Sequence, residues 1–364
     1  MAEEGSIPVQ PQERLTSLDV FRGLTMIFLI SHAFGLHQFQ ETPYLGWLAT
    51  QFTHHPWHGL RLWDLIQPAF MFIVGVAMPF SLCKRERLGQ SRRQMMWHVV
   101  KRCLVLAFLG VVILRPKPLL QGDPSFTNVL AQIAVTYFIT YLFIRRSIWT
   151  QLAITAAILI GYDLAYRFIP LPYEEGPWEI HKNLGAYVDH LLGCRKSGGG
   201  WVSINAMSTA AHTMWGAVAG WVLMSDRTKW EKMRFLGIAA IVTLSLGFAL
   251  DPVTPIIKRI ATSTFVLASG GCCFLGLLFF YWLVDVKGYK RWGKFAVIVG
   301  MNCVFIYMFT NLLGGWLRGY VGTFVKPFLG SYEVASSLVI VNGALLVKWY
   351  LCYWLYKHKI FIRA

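Results

Sequence analysis

Ten apolar runs punctuate this chain, each long enough to cross a bilayer as a helix, and the Lys and Arg residues gather in clusters on alternate connections between them. The runs lie near residues 18–37, 62–83, 99–115, 127–144, 148–168, 203–224, 235–250, 261–284, 294–313 and 334–356. Hydrocarbon offers no water to backbone N–H and C=O groups, so a spanning segment must satisfy them as a helix or in a closed barrel. The alternating pattern of a transmembrane barrel is absent. The expected fold is all-α, a polytopic integral membrane protein of about ten transmembrane helices. Composition agrees, since 55% of the 364 residues are hydrophobic and only 14% charged, against about 25% charged in soluble domains.

Charge sets the orientation. With the N-terminus in the cytoplasm, the cytoplasmic segments hold Arg14, Arg22, KRERLGQSRRQMMWHVVKR, the Arg145–Arg146 pair, RTKWEKMR, KGYKRWGK and KHKIFIR. The opposite segments, 38–61, 116–126, 169–202, 251–260 and 314–333, are poorer in Lys and Arg. The positive-inside rule therefore places both termini in the cytoplasm. The net charge of +16 is a topology signal, with no basic stripe for nucleic acid. Residues 1–13 form a polar, acidic tail expected to be flexible, with no cleavable signal peptide evident. The whole of 1–364 reads as a single transmembrane domain, and its longest external loop, 169–202, is rich in Pro, Gly, acids and aromatics. Such a loop is a functional lid or a tolerated insertion. The seven cysteines form no CxxC pair and read as small buried hydrophobes.

The densest titratable patch is THHPWHGLRLWDL, residues 53–65, on the external side just before the second apolar run. Imidazole exchanges protons near neutral pH, and its neutral form attacks acyl groups. His54, His55 and His58 are thus candidates for acyl or proton chemistry, or simple headgroup anchors beside Trp57. No second ligand cluster completes a metal site, so no metal is expected. Asp64 either caps the second helix or orients His54 as a triad acid would. Near the cytoplasmic end of the first helix, Asp19 and Arg22 are three apart and can pair. Arg22 could equally hold a phosphate or snorkel. Deeper lie Asp163, His212, Asn302, Asn311, Asn342 and Lys348, and ionisable groups at membrane depth are functional candidates by default. The small-residue stretch WGAVAGW predicts close helix packing.

Several segments carry a family likeness. RLTSLDVFRGLTMIF, HHPWHGLRLWDLIQPAFMFIVGVAMPFSL, NVLAQIAVTYF, WLVDVKGYKRWGKFAVIVGMNCVFIY and WLYKHKIFIRA resemble the heparan-α-glucosaminide N-acetyltransferase family and its bacterial relatives. The likeness runs from Arg14 to Ala364. It implies an acyltransferase that takes acetyl-CoA from the cytosol and acetylates a glucosamine amine on the other side. The family's active histidine matches His54, while His55 and His58 stand where the animal enzymes have none. The animal lysosomal members carry an extra N-terminal region and helix that this sequence lacks. Two positions depart from the family pattern. Ser31 and His32 stand near the place of a family asparagine, and Gln132 stands for a family arginine.

On this reading His54 is catalytic, either as the nucleophile that carries the acetyl group or as the base for direct attack by the amine, with Asp64 behind it. Trp57, His58 and Asn302 are candidate acceptor contacts, although Asn302 could equally crosslink helices. Arg22, Arg102 and Lys348 are the candidates for holding the phosphates of acetyl-CoA. An O-acyltransferase acting on a surface or lipid-linked glycan, and a transporter without acyl chemistry, remain the alternatives. Pro68 and Pro79, which would kink the second helix, suit the transporter. The likeness also allows a homodimer, and it implies the inner or plasma membrane if the chain is bacterial.

Overall fold

A computed structural model describes residues 15–114, 127–173, 176–194 and 197–362. The tail 1–13, Arg14 and the segment 116–126 lie outside the described residues.

Every one of the ten apolar runs is helical. The helices are α1 (Thr16–Ile30), α2 (Ile66–Arg87), α3 (Arg92–Leu114), α4 (Val129–Phe143), α5 (Ile148–Phe168), a short α6 (Leu184–Leu191), α7 (Asn205–Met224), α8 (Lys229–Ala249), α9 (Ser263–Phe280), α10 (Lys294–Gly300), α11 (Cys303–Leu329) and α12 (Glu333–Lys357). Among the described residues there is no β-sheet, only one isolated bridge between His58 and Ile257. Polar residues fix where the helices start. Asn128 caps α4 through Leu130 N at 2.8 Å, and Ser147 caps α5 through Thr150 N at 3.1 Å. Thr228 and Glu231 form a reciprocal capping box at the start of α8.

Six of the described helices are long and apolar enough to cross a membrane, or eight when two bent pairs are each counted as one span. The count of about ten differs for two physical reasons. Helix α4 has 15 residues, about 22 Å of rise against a hydrocarbon core of about 30 Å. Helix α7 has the length, but Asn205, Ser208, Thr209, His212 and Thr213 lower its apolarity, and nearly all of it is buried. The outer faces of α3, α5, α8, α11 and α12 carry exposed Phe108, Ile160, Ile241, Trp316 and Leu346. A folded chain shows such a surface to lipid, so this is an integral membrane protein.

The α2–α7 pair forms the centre, and WGAVAGW makes it possible. A Cβ on Gly216 would collide with the Phe72 carbonyl, and one on Gly75 with the Thr213 carbonyl. Backbone approach this close admits only glycine. Helix α1 crosses the other side of α2 and is bent by 54° at Ser31, while α10 and α11 meet at 74°. The turn after α9 is π-helical and aims Asp285 Oδ2 at Ser17 N, 3.1 Å away, which caps the start of α1. Two segments far apart in sequence, SLDVF and VDVKG, are therefore one structural unit.

Candidate active site

The connection between α1 and α2 passes through a short helix, Gly46–Gln51, then the histidine stretch, and turns into α2 through one tight helical turn, Leu62–Leu65. Asp64 sits in that turn and is 1% exposed. Its Oδ2 accepts His55 N at 3.2 Å and Arg61 N at 3.1 Å, and its Oδ1 lies 2.8 Å from His54 Nδ1. The carboxylate thus closes the loop on itself and faces the histidine ten residues earlier. Arg61 reinforces the loop, its Nη1 donating to Thr53 Oγ1 at 2.7 Å and to the His54 carbonyl at 3.0 Å.

A second connection, between α8 and α9, completes the site with a residue that sequence reasoning missed. Lys258 Nζ lies 3.4 Å from Asp64 Oδ1 and 3.1 Å from His54 Nδ1, and its residue is 6% exposed. Trp201 borders the site, its ring edge-on to His54 with centroids 5.8 Å apart and 5.3 Å from Lys258 Nζ. The His54 side chain is still 41% exposed, so the imidazole is held on one edge and open on the other. Burial lowers the His54 pKa below 6.5; the Asp64 hydrogen bond opposes this, and the Lys258 and Arg259 charges reinforce it. Burial also brings the Lys258 ammonium down to about 8 against the pull of Asp64.

Trp57 and His58 pin the loop. Trp57 Nε1 donates to the Trp178 carbonyl at 2.9 Å, and its ring packs with Tyr166, Leu184 and Ile257. His58 Nε2 lies 2.8 Å from Asp251 Oδ1, which also accepts Ile256 N. The 169–202 loop and the α8–α9 connection are therefore clasped to the histidine stretch. Asn302 is apart from His54. It is fully buried and bonds the Ile360 carbonyl at 3.1 Å and Ile362 N at 2.9 Å, holding the C-terminal segment.

Arg22 and Arg102 line one large cavity of about 860 Å³ between α1, α2, α3, α4 and α11. Arg85, His98 and Lys101 share its basic end, and Phe70, Leu130 and Ile133 its apolar end. Along α2 the lining runs from Arg85 to Phe70, a rise of about 22 Å. Arg22 lies 3.7 Å from Asp19, and the Arg102 guanidinium sits 4.7 Å from the centre of the Tyr137 ring. Lys348 does not line this cavity; it is 1% exposed and donates to the Ile30 carbonyl at the bend of α1.

His54 does not line the cavity. Six positions, about 9 Å of helical rise, separate Asp64, in the turn before α2, from Phe70 at the cavity's apolar end. Buried amides occupy this interval. Gln67 donates to Gln132, Gln132 to Asn205 at 2.5 Å, and Asn205 to the Arg259 carbonyl at 3.3 Å. Gln132 is the centre of this chain. No group of three or more His, Cys, Asp or Glu side chains among the described residues is placed to hold a metal ion.

Residues 14–173 match the family model described as heparan-alpha-glucosaminide N-acetyltransferase, catalytic, a stretch that contains His54, Asp64, Arg22 and Arg102. Two curated relatives carry the name heparan-alpha-glucosaminide N-acetyltransferase. The one from Mus musculus is 27% identical over 96% of this chain, and the one from Homo sapiens 24% identical over 96%. The chain is thus similar to that family at low identity. It spans about 60% of the length of the curated relatives it matches.

Proposed function

We propose that this membrane protein is an acetyltransferase, taking acetyl from cytosolic acetyl-CoA and passing it to the amine of a glucosamine-type sugar outside. The reading takes the helices as ten crossings with both termini in the cytoplasm and the His54 loop outside. It rests above all on the His54–Asp64 contact at 2.8 Å. A carboxylate cannot donate, so it takes the proton of Nδ1 and leaves the Nε2 lone pair on the open edge of the ring. That is the form of histidine that attacks a carbonyl or accepts a proton from an amine.

The basic end of the cavity suits the donor. Arg22 and Arg102, with Arg85 and Lys101, offer fixed cations for the phosphates of acetyl-CoA, and the apolar walls suit its uncharged arm. In one route Nε2 attacks the thioester, the C–S bond breaks, and CoA leaves as a thiolate that takes up a proton. The sugar amine then displaces the imidazole to form the amide. In the other the amine attacks the thioester directly and His54 receives its proton. The acetyl group has to pass the Gln67–Gln132 level in both. A transporter would call on the deep ionisable residues, and these have partners. Asp163 is tied to Arg167 at 2.7 Å and to Thr254 at 2.7 Å, and His212 to Ser269 at 2.9 Å.

The test is release of CoA from acetyl-CoA by purified protein in detergent, with and without glucosamine. His54→Ala should abolish acceptor-dependent release and keep acetyl-CoA binding. A wild-type protein that neither binds acetyl-CoA nor releases CoA with any amino sugar refutes the reading. A panel of N- and O-acceptors separates amine from hydroxyl transfer.

A further inference from the structure

We infer that Lys258 is a positioning residue that keeps His54 uncharged and holds its free nitrogen toward substrate. The inference deepens the acyl-transfer reading and rests on it for its catalytic meaning. A histidine–carboxylate pair alone favours the imidazolium, because the anion stabilises the ring's positive charge. An imidazolium has no lone pair and can neither attack a thioester nor accept a proton. A buried ammonium within 3.1 Å of Nδ1 opposes that preference, adding to the burial of the ring.

Proton placement follows from the three distances. Nδ1 lies 2.8 Å from Asp64 Oδ1 and bears the proton they share. The Lys258 ammonium has no lone pair to meet on Nδ1, so its partner is Asp64 Oδ1 at 3.4 Å. One carboxylate oxygen thus receives both the imidazole N–H and the ammonium. The charged groups that bear on His54 are Asp64 from the head of α2 and Lys258 and Arg259 from the α8–α9 connection. Two cations face one anion, and the uncharged ring is the favoured state.

The lysine is built into place. Ile256 N and His58 bind Asp251, and Gly59 N donates to the Ile256 carbonyl at 2.8 Å. Thr262 Oγ1 accepts Ile257 N at 3.0 Å and donates to the Pro255 carbonyl at 2.8 Å. Ala261 takes a left-handed φ of 46°, strained for a residue with a side chain, and closes the turn behind Lys258. The Trp201 ring lies 5.3 Å from the ammonium.

The experiment compares wild type with Lys258→Met, Lys258→Gln and Lys258→Arg in the same detergent, folding checked by size exclusion and thermal melting. Two readouts are taken. One is the pH profile of kcat/KM for acetyl transfer. The other is the pH dependence of His54 modification by diethyl pyrocarbonate, which acylates only unprotonated imidazole, with His54→Ala as the blank. The neutral variants should move the acid limb and the modification midpoint upward by about one pH unit. Lys258→Arg should leave both near wild type. Gln keeps a polar tip should Met not fold. An unmoved midpoint in a folded neutral variant overturns the inference, as does an Arg variant that shifts as far as Met. The modification readout needs no turnover, so it judges Lys258 even if the protein transfers no acetyl group.

Discussion

Replacing Asp64 by Asn tests the dyad most directly, because the change keeps shape and removes one charge. Stability suffers first. Lys258 is already near pKa 8, and an unfolded lysine titrates at about 10.4, so holding it charged in the fold costs about 3 kcal/mol. Without Asp64 the lysine loses its anion, but at pH 7 it can shed its proton. Full discharge relative to the unfolded chain costs about 5 kcal/mol, so the added penalty is capped at about 1–2 kcal/mol. Weaker bonds from His55 N and Arg61 N to an amide oxygen add about 1 kcal/mol, for a total of about 2–3 kcal/mol. Activity suffers more. An amide can donate to Nδ1 and so favour the ring tautomer with its proton on Nε2, where the lone pair is needed. The same change in a triad lowers kcat about 10⁴-fold, and a loss of about 10²–10⁴ is expected here, with the KM for acetyl-CoA little changed. CoA release with glucosamine gives the rate and thermal melting in detergent gives the stability. An Asp64→Asn protein with kcat within threefold of wild type refutes the argument.

Other perturbations follow from the same geometry. Arg102→Ala should raise the KM for acetyl-CoA about tenfold or more, the cost of one charge-assisted hydrogen bond, and leave kcat near wild type; calorimetric binding checks it. Since His54 is held below 6.5, the acid limb of the wild-type profile should have its midpoint below that value. A midpoint above pH 7 contradicts a neutral resting ring. The folded lysine binds fewer protons than the unfolded one between about pH 8 and 10.4, so wild-type stability should rise with pH there relative to Lys258→Met, in melts taken across that window. Gly216→Val should drive a side chain into the Phe72 carbonyl and lower stability by about 1–3 kcal/mol or prevent folding, read by thermal melting.

The sequence carried the fold because lipid leaves a spanning segment few choices. Apolar length marks each long helix, and WGAVAGW marks a close helix contact. Where the expectation strayed, local chemistry explains it: α4 is short, and α7 hides polar residues that face protein rather than lipid. At the site, His54 and Asp64 are ten apart in one loop, so one stretch of sequence contained the dyad and only its closure had to be found in three dimensions. Trp57, His58 and Asn302 were legible as unusual residues, but their partners, Trp178, Asp251 and Ile360, lie 58–193 positions away. No local pattern says which of them grips a loop and which touches a substrate. Lys258 is the harder case, 204 positions from His54. It did leave a trace. Lys258 and Arg259 sit side by side in 251–260, one of the segments that the charge bias places on the side poor in Lys and Arg. Counted for topology, the pair is a small exception to the rule. A basic residue kept against that bias, and then buried, needs an anion to hold it, and the buried carboxylate beside it is the one that also orients the histidine.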